Sequence, residues 1–325
     1  MNILVTGGAG FIGSHLSEAL LQEGHHVVCF DIFGEWRGSL NALYKKKNMS
    51  SIISNPQYRV FEGDLQRKEY IDIPFHNEKI DVVVHLAAQT GVRPSVQDPN
   101  VHYKVNVLGT LYLLQKCVEY GVKKLVFASS SSVYGNNPHI PFSEDDKVDY
   151  PLSPYAATKK AGENLCYVFH KLYGMDIVCL RLFTVYGPRQ RKEMLISSFT
   201  NKIYNGEPVT IFGDGLNRRD YTYITDVVMA FTEVLRHIKG YEVYNIGRSD
   251  PVTLSKVINL IERKLGKKSE VNYSPMQPGE ANQTYANISK ARSVLGYDPE
   301  VRIEKGISLY IDWFLGEVSN AISES

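Results

Sequence analysis

The sequence predicts an α/β fold in which a doubly wound parallel sheet carries a smaller, interleaved α/β lobe. Short uninterrupted runs rich in valine and isoleucine alternate with longer segments of helical periodicity through the first half of the chain. This alternation is typical of parallel strands that helices cover on both faces. A glycine-rich loop, TGGAGFIG, follows the first run directly. The chain of 325 residues is also long for one compact domain, so we expect two closely associated lobes.

Six apolar runs in the first half are predicted strands. In chain order they are NILVT, HHVVCFD, YRVFEGD, DVVVHLAA, KKLVFASS and DIVCLRLF. Helical spacing predicts helices over 11–23, 101–120 and 153–173 between them. The last of these has Ser153 in the N-cap position and Pro154 in the first turn, which are favoured residues at a helix start.

The pattern loosens after Gly187. We predict helices over 194–205, 224–237, 254–265, 289–295 and 303–315, a strand and turn at TIFGDG, and one more buried strand at YEVYNIG. Residues 1–180 are therefore assigned to a dinucleotide-binding domain of Rossmann type, which also receives the strand near 241–247. Residues 181–325 are assigned to the interleaved substrate-binding lobe.

Composition and charge exclude several classes of protein. A formal net charge of +1 leaves no excess of cations to displace counterions from nucleic acid. The cysteines, Cys29, Cys117, Cys166 and Cys179, show neither metal-ligand nor disulfide spacing. We expect no metal site, no membrane span and no signal peptide, and reduced thiols in the cytoplasm. The basic run 45–47 is interpreted as a solvated loop, with anion steering as the alternative.

The glycine loop predicts a dinucleotide site. Gly7, Gly10 and Gly13 lie between the first strand and the first helix, where missing side chains let the backbone approach a pyrophosphate at the helix N-terminus. Asp31 ends the second strand, at the expected distance for a ribose contact. Its charge would repel a 2′-phosphate, so NAD is favoured over NADP, although Arg37 nearby leaves NADP open. Asp64 and Leu65 follow the next strand and either flank the adenine or form a surface turn.

The segment SPYAATKK predicts the chemistry. A tyrosine hydroxyl, with an ordinary pKa of about 10, is a poor base at neutral pH unless a positive charge stabilises the phenolate. Lys159 follows Tyr155 by one helical turn on the same face. Ser130, at the end of a predicted strand, is placed to donate to a substrate oxygen. With the glycine loop, these residues indicate an NAD-dependent enzyme that oxidises a carbinol.

The chain resembles the extended short-chain dehydrogenases/reductases of the nucleotide-sugar epimerase and dehydratase group, from TGGAGFIG to SKARSVLGYDP. The resemblance assigns Ser130, Tyr155 and Lys159 to catalysis and implies a UDP-sugar substrate. It assigns to NAD the residues Gly7, Gly10, Phe11, Ile12, Gly13, Asp31, Asp64, Leu65, Leu86, Ala87, Ala88, Asn106, Tyr155 and Lys159. It assigns to the UDP-sugar the residues Arg93, Ser95, Ser130, Ser131, Thr184, Arg191, Thr210, Ile211, Phe212, Arg219 and Gln277, with Arg219 on the phosphates and 210–212 along the uracil.

The segment SSSSVYG bears on the reaction that follows oxidation. Family members that expel water resemble STDEVYG, whereas Ser131 and Ser132 stand here in place of the acids. Decarboxylating relatives usually carry Glu at the second of these positions. The resemblance therefore favours 4-epimerisation, by transient oxidation at C4, rotation of the keto sugar and reduction on its other face.

The hexose is indicated by two further segments. FTVYGP and HLAAQTGVRPS resemble the UDP-glucuronate 4-epimerases, and Thr184, Ser95 and Arg191 can donate to a C5 carboxylate. For Arg191 a surface loop or a diphosphate contact is the alternative, and Arg93 can instead cap a helix or close the cleft mouth.

Other functions remain open at this point: a UDP-glucose or UDP-N-acetylglucosamine 4-epimerase, a UDP-sugar dehydratase or decarboxylase, and a non-catalytic NAD-binding protein. We also expect a homodimer through the helices 101–120 and 153–173, supported by Tyr112, Leu113, Cys166 and Phe169 at helical spacing.

Overall fold

A computed structural model describes residues 1–34, 42–275, 279 and 283–323. The strands are β1 (Asn2–Thr6), β2 (His26–Asp31), β3 (Tyr58–Glu62), β4 (Val82–His85), β5 (Lys124–Ser130), β6 (Asp176–Leu182), β7 (Thr184–Tyr186), β8 (Val209–Phe212), β9 (Arg218–Tyr223), β10 (Tyr241–Ile246), β11 (Pro251–Thr253) and β12 (Val271–Ser274). The six runs predicted in the first half thus form β1 to β6, and YEVYNIG forms β10.

The central feature is a seven-stranded sheet with the order β10-β6-β5-β4-β1-β2-β3. Every neighbouring pair in it is parallel. Strand β10 joins the edge beside β6 after the chain has passed through the second half. The order reverses at β1, which lies between β2 and β4, and open α/β sheets bind their ligands at such a reversal. The predicted α/β class is confirmed.

The helices are α1 (Phe11–Gln22), α2 (Ala42–Asn48), α3 (Lys68–Asn77), α4 (Val92–Gln97), α5 (Pro99–Tyr103), α6 (Thr110–Glu119), α7 (Pro154–Tyr173), α8 (Leu195–Asn205), α9 (Ile224–His237), α10 (Leu254–Leu265), α11 (Ser289–Leu295) and α12 (Ile303–Ser323). Alternate residues of β1 explain why the strands are apolar throughout. Ile3 and Val5 pack with α1 and α9 on one face, whereas Leu4 packs with α3, α6 and α7 on the other. Both faces are therefore buried.

Two smaller sheets build the second half of the chain. One has the order β11-β9-β7 and the other pairs β12 with β8. Apolar residues of this half, including Ile211, Val257 and Ile307, belong to the same core cluster as Ile3 and Val5 of the central sheet. A continuous apolar core therefore joins the small sheets to one face of the large one.

The predicted helix over 101–120 is interrupted. It consists of α5, a wider π-helical turn over Lys104–Gly109, and α6. The side chain of Asn106, inside this turn, exchanges hydrogen bonds with the backbone of Gln89. A π turn inside a helix often marks a functional region.

Three of the four residues that we expected at a dimer contact belong to the core instead. Leu113, Cys166 and Phe169 are buried against the sheet, because they occupy the apolar stripe that a helix must bury in its own fold. The exposed apolar residues of the layer formed by α5, α6 and α7 include Tyr103, Leu108, Tyr167, Val168 and Leu172. No helix among the described residues is long and apolar enough to cross a membrane.

Candidate active site

A cleft lies at the carboxyl ends of the parallel strands. It consists of a cavity of about 420 Å³ beside the glycine loop and a second of about 1300 Å³ beside the smaller sheets. Both cavities are lined by Gln89, Thr90, Gly91, Arg191 and Met194. The two cavities therefore meet at these residues, and the cleft is continuous.

The glycine loop forms a floor without side chains for the first cavity. Gly7 adopts a φ of +73°, and a Cβ added there would lie 2.8 Å from the backbone N of Ala87. A Cβ on Gly13 would lie 2.1 Å from the carbonyl O of Gly7. Only glycine fits at these two positions, and α1 begins directly behind the loop. The backbone N–H groups and the positive end of α1 can thus approach an anionic group.

Asp31 lies at one end of this cavity with a partner that the sequence did not reveal. Its Oδ1 accepts from the Nζ of Lys45 at 2.8 Å and from the N–H of Ile32, and its Oδ2 accepts from the N–H of Ala9. Lys45 is only 6% exposed. The interpretation of 45–47 as a solvated loop is wrong for Lys45, because α2 turns this residue inward onto Asp31.

Three of roughly four lone-pair positions on the Asp31 carboxylate are occupied, which leaves one acceptor for a ligand hydroxyl. Asp31 and Lys45 both line the cavity, so a ribose would meet an acceptor and a cation together. Arg37, which left NADP open, lies outside the described residues.

The other residues assigned to the cofactor divide into two groups. Phe11, Ile12, Asp64, Leu65, Leu86, Ala87 and Ala88 line the first cavity. Asn106 lies behind the cavity wall, where its amide binds the backbone of Gln89 and the hydroxyl of Thr158. It thereby ties the loop after β4 to α7, and a direct contact with the cofactor remains a prediction.

The predicted catalytic residues line the first cavity together. Ser153 caps α7 by accepting from the N–H of Ala156, as predicted from the sequence. Tyr155 follows in the first turn, and it lines the cavity beside Ser130, which ends β5. The Nζ of Lys159, one turn later, donates to the carbonyl O of Ala128 at 2.7 Å. The structure therefore brings together all three residues.

Burial has the largest effect on the pKa values of Tyr155 and Lys159. It raises the pKa of Tyr155 above the ordinary phenol value, and the nearby hydroxyl of Ser130 and the charge of Arg191 act in the opposite direction. Burial also lowers the pKa of Lys159 to about 8, although the neighbouring Cys166 and the carboxylate of Glu163 act in the opposite direction. Tyr155 thus needs a further positive charge in the cleft to act as a base near neutral pH.

The second cavity is rich in cations. The basic side chains along it are Lys47, Arg93, Arg191, Lys192, Lys202 and Arg219, and Glu193 is the only acidic residue among the described ones that line it. Arg93 lies with its guanidinium 4.2 Å from the centre of the Phe212 ring. The cavity therefore suits a ligand that carries several negative charges.

The predicted substrate residues are placed unevenly. Arg93, Arg191, Thr210, Phe212 and Arg219 line the second cavity, while Thr184 and Ser130 line the first. Ile211 is buried in the core because side chains alternate along β8, so the prediction that its side chain lines the uracil is corrected.

Two serines are also placed away from the cavities. Ser95 is fully buried, and its hydroxyl donates to the carbonyl O of Val92 at 2.6 Å. The expected donation from Ser95 to a carboxylate is therefore corrected. Ser131 starts the short 3-10 helix Ser131–Tyr134 and is absent from the cavity linings. Gln277 lies outside the described residues.

Several residues of the cleft were not identified from the sequence. Gln89, Thr90 and Gly91 follow β4 directly, and the rule that ligands bind beyond the carboxyl ends of strands could have found them. Lys45 and Met194 carry no such signal, because only tertiary packing brings α2 and the start of α8 to the cleft.

Comparisons with known proteins agree with this geometry. The model of the NAD dependent epimerase/dehydratase family matches residues 3–247. The chain is 42% identical over 320 residues to a UDP-glucuronate 4-epimerase of Thermodesulfobacterium geofontis, covering 95% of both chains. The crystal structure of UDP-glucuronic acid 4-epimerase from Bacillus cereus, in complex with UDP-glucuronic acid and NAD, superposes with a TM-score of 0.91 at 39% identity, covering 98% of this chain and 100% of that one.

A second solved structure is similar to nearly the same extent. UDP-glucose 4-epimerase from Thermotoga maritima, with UDP-glucose, gives a TM-score of 0.89 at 34% identity and covers 98% of this chain and 100% of that one. The similarity in fold therefore extends to enzymes that act on different hexoses.

Proposed function

The chain belongs to the NAD-dependent epimerase/dehydratase family, and we propose that it catalyses the 4-epimerisation of a UDP-hexose, interconverting UDP-glucuronate and UDP-galacturonate. One observation carries the proposal. Ser130, Tyr155 and Lys159 line the cavity of the glycine loop together with Arg191, which also lines the cation-rich cavity.

The chain supplies proton transfer and orientation. Tyr155 removes the proton of the C4 hydroxyl, and Ser130 donates to the oxygen that becomes the C4 carbonyl. Lys159, as an ammonium, favours the phenolate of Tyr155. Bound NAD supplies a hydride acceptor, which returns the hydride in the reverse half of the reaction, and its oxidised ring supplies the further positive charge that Tyr155 needs.

The first cavity fits this cofactor. Gly7, Gly10 and Gly13 leave room for a pyrophosphate at the start of α1, and the pair of Asp31 and Lys45 offers an acceptor and a donor to the adenosine ribose. Leu65 and Asp64 would flank the adenine, with Leu86, Ala87 and Ala88 along the opposite wall.

The second cavity holds the nucleotide. Arg219 binds the diphosphate, and Thr210 and Phe212 border the uracil. Anchoring the UDP here leaves the hexose held only at its reacting end, and a loosely held hexose is what rotation of the keto intermediate requires.

The preference for a uronate depends on Arg191 and Thr184. Arg191 lines both cavities and its charge acts on Tyr155, while Thr184 lines the wall of the first. The 4-keto-uronate intermediate is a β-keto acid, which loses carbon dioxide readily if its carboxylate aligns with the π system of the C4 carbonyl. Binding of the carboxylate to these donors prevents that alignment. Ser131 and Ser132 provide no carboxyl group for dehydration.

The arrangement of the whole chain extends the proposal. Residues 1–180 with β10 form the cofactor domain, and residues 181–325 supply the UDP-sugar lobe. The exposed apolar residues of the α5–α7 layer form a homodimer contact. Free thiols at all four cysteines suit the reducing cytoplasm.

A substrate panel tests the function. Purified protein is incubated separately with UDP-glucuronate, UDP-glucose and UDP-N-acetylglucosamine, and the products are identified by NMR. We expect UDP-galacturonate from the first at the highest kcat/KM, and a loss in kcat of at least about 100-fold for Tyr155→Phe. A pentose product would establish decarboxylation instead, and faster conversion of UDP-glucose would overturn the choice of hexose. Undiminished activity of Tyr155→Phe would refute the mechanism.

A further inference from the structure

Glu163 is a buried carboxylate that the proposed reaction does not use. Its side chain is only 1% exposed. Oε1 accepts from the hydroxyl of Ser129 at 2.6 Å and from the Nε of Arg181 at 2.9 Å, while Oε2 accepts from Nη2 of Arg181 at 3.0 Å. Burial by itself would raise the pKa of Glu163, but the hydrogen bonds and charge of Arg181 hold it below its ordinary value. Glu163 is therefore an ionised, two-pronged partner of Arg181.

The position of Glu163 relates it to the catalytic residues. Tyr155, Lys159 and Glu163 follow one another at intervals of four residues, so they lie along one face of α7. This face contacts three consecutive residues of β5. Lys159 donates to the carbonyl O of Ala128, Glu163 accepts from the hydroxyl of Ser129, and Tyr155 lies beside Ser130. Any slip of α7 along β5 would break both of these hydrogen bonds and move Tyr155 away from Ser130.

Arg181 fixes the other side of the arrangement. It is the register partner of Ser129 on the neighbouring strand β6, so Glu163 bridges two adjacent strands. Its Nη1 donates to the hydroxyl of Tyr134 at 2.9 Å, and that hydroxyl donates to Oδ1 of Asn245 on β10. Tyr134 ends the short helix that follows Ser130. Arg181 thus holds both α7 and the segment that follows the catalytic serine.

We propose that Glu163, together with Ser129 and Arg181, positions the catalytic residues by fixing the register of α7 on β5, so that the hydroxyl of Tyr155 meets Ser130. The proposal rests on the proposed function, because it takes these residues as the reacting group. A buried ion pair contributes little net stability compared with apolar residues of the same size. Positioning of the catalytic residues therefore explains the ion pair of Glu163 and Arg181 better than a contribution to stability does.

Ser129 offers the mildest test, because Ser129→Ala removes one hydroxyl and leaves the pair of Glu163 and Arg181 in place. We expect kcat to fall about tenfold, since small displacements of reacting groups have large effects on rate. KM should stay within about twofold, because the UDP anchors lie in the other cavity. Ser129→Thr restores the hydroxyl and should restore kcat. Glu163→Gln should lower kcat more than Ser129→Ala does. All rates are measured on the holoenzyme with the UDP-hexose that the substrate panel identifies.

Ser269→Ala is the matched control. The Ser269 hydroxyl donates to Oε1 of Glu262 at 2.9 Å, which is the same kind of bond on α10, away from α7, and its loss should change neither kcat nor KM. Combining Ser129→Ala with Tyr155→Phe should give the residual rate of Tyr155→Phe alone, because the register matters only while Tyr155 acts.

Several results would overturn the positioning role: an unchanged kcat in Ser129→Ala, a Ser129→Thr variant as slow as the alanine one, or the same loss in the Tyr155→Phe background. Should Tyr155→Phe itself retain full activity, the proposed function fails whatever Ser129 does, so the two failures are distinguishable. If Glu163→Gln does not fold, the series at Ser129 decides the matter alone.

Discussion

Lys159 is a residue whose placement favours activity at the expense of stability. It is 4% exposed, and its burial lowers its pKa from 10.5 to about 8. The folded state therefore binds fewer protons than the unfolded state between these two pH values, and the free energy of unfolding rises with pH across this window. Below pH 8 the buried ammonium lowers the free energy of unfolding by its full amount.

Lys159→Met should therefore stabilise the protein near neutral pH while it abolishes catalysis. We expect a gain of about 2 kcal/mol at pH 7, since each pKa unit corresponds to about 1.4 kcal/mol and the lost hydrogen bond to Ala128 offsets about 1 kcal/mol. The gain should shrink as pH rises from 8 to 10.5. Denaturant unfolding at a series of pH values measures it, and a methionine variant less stable than the wild type at pH 7 would contradict the assignment.

At the scale of elements, the approach of α7 to β5 depends on a glycine. A Cβ added to Gly162 would lie 2.4 Å from Cζ of Phe127, and Phe127 is itself enclosed in the core. Gly162 thus lets the helix that carries Tyr155 and Lys159 lie close to the strand that carries Ser130. Glycine inside a helix is destabilising by about 0.5–1 kcal/mol relative to alanine. The close packing of α7 on β5 requires it here nonetheless.

Gly162→Ala should lower both the melting temperature and kcat, because overpacking destabilises by about 1–3 kcal/mol and outweighs the better helix propensity of alanine. Gly316→Ala is the control, since Gly316 lies in α12 with nothing within 4 Å of an added Cβ. That variant should be unchanged or slightly more stable. Thermal unfolding and initial rates measure both, and a stabilised Gly162→Ala variant would show that α7 can move away from β5.

At the scale of the whole molecule, the two halves share a core and face each other across the cleft. The α5–α7 layer lies on one face of the central sheet and presents Tyr167, Val168 and Leu172 to solvent. Contiguous exposed apolar residues on a helix layer commonly mark a contact between protein chains, and a two-fold axis would place this layer against its copy.

Leu172→Glu tests this contact. Leu172 is 69% exposed, so the substitution should leave the fold intact while it places a charge in the interface of the proposed dimer. Sedimentation should give twice the chain mass of 36.7 kDa for the wild type and a single chain mass for the variant. Leu309→Glu, at an exposed position on α12, should remain dimeric. A wild type that sediments as one chain, or an unaffected Leu172→Glu variant, would rule out this interface.

Local patterns allowed much of the site to be predicted. The glycine loop, Asp31 and the set of Ser130, Tyr155 and Lys159 each lie at a strand end or on one helix turn, where sequence spacing fixes distance. Ile211 and Ser95 were misplaced, because the resemblance located their segments and could not tell which way each side chain points. Lys45 was missed, because its partner is fixed by how α2 packs onto β2.

The sequence by itself determined the α/β class, the strands of the large sheet and the chemical identity of the reacting residues, since periodicity and loop chemistry are local properties of a chain. The tertiary structure decided the rest. Burial set the pKa values of Tyr155 and Lys159, packing turned Lys45 and Arg191 into the cleft, and the pair of Glu163 and Arg181 fixed the register of α7 on β5. These features depend on residues distant in sequence whose proximity and exclusion of water arise only when the chain is folded.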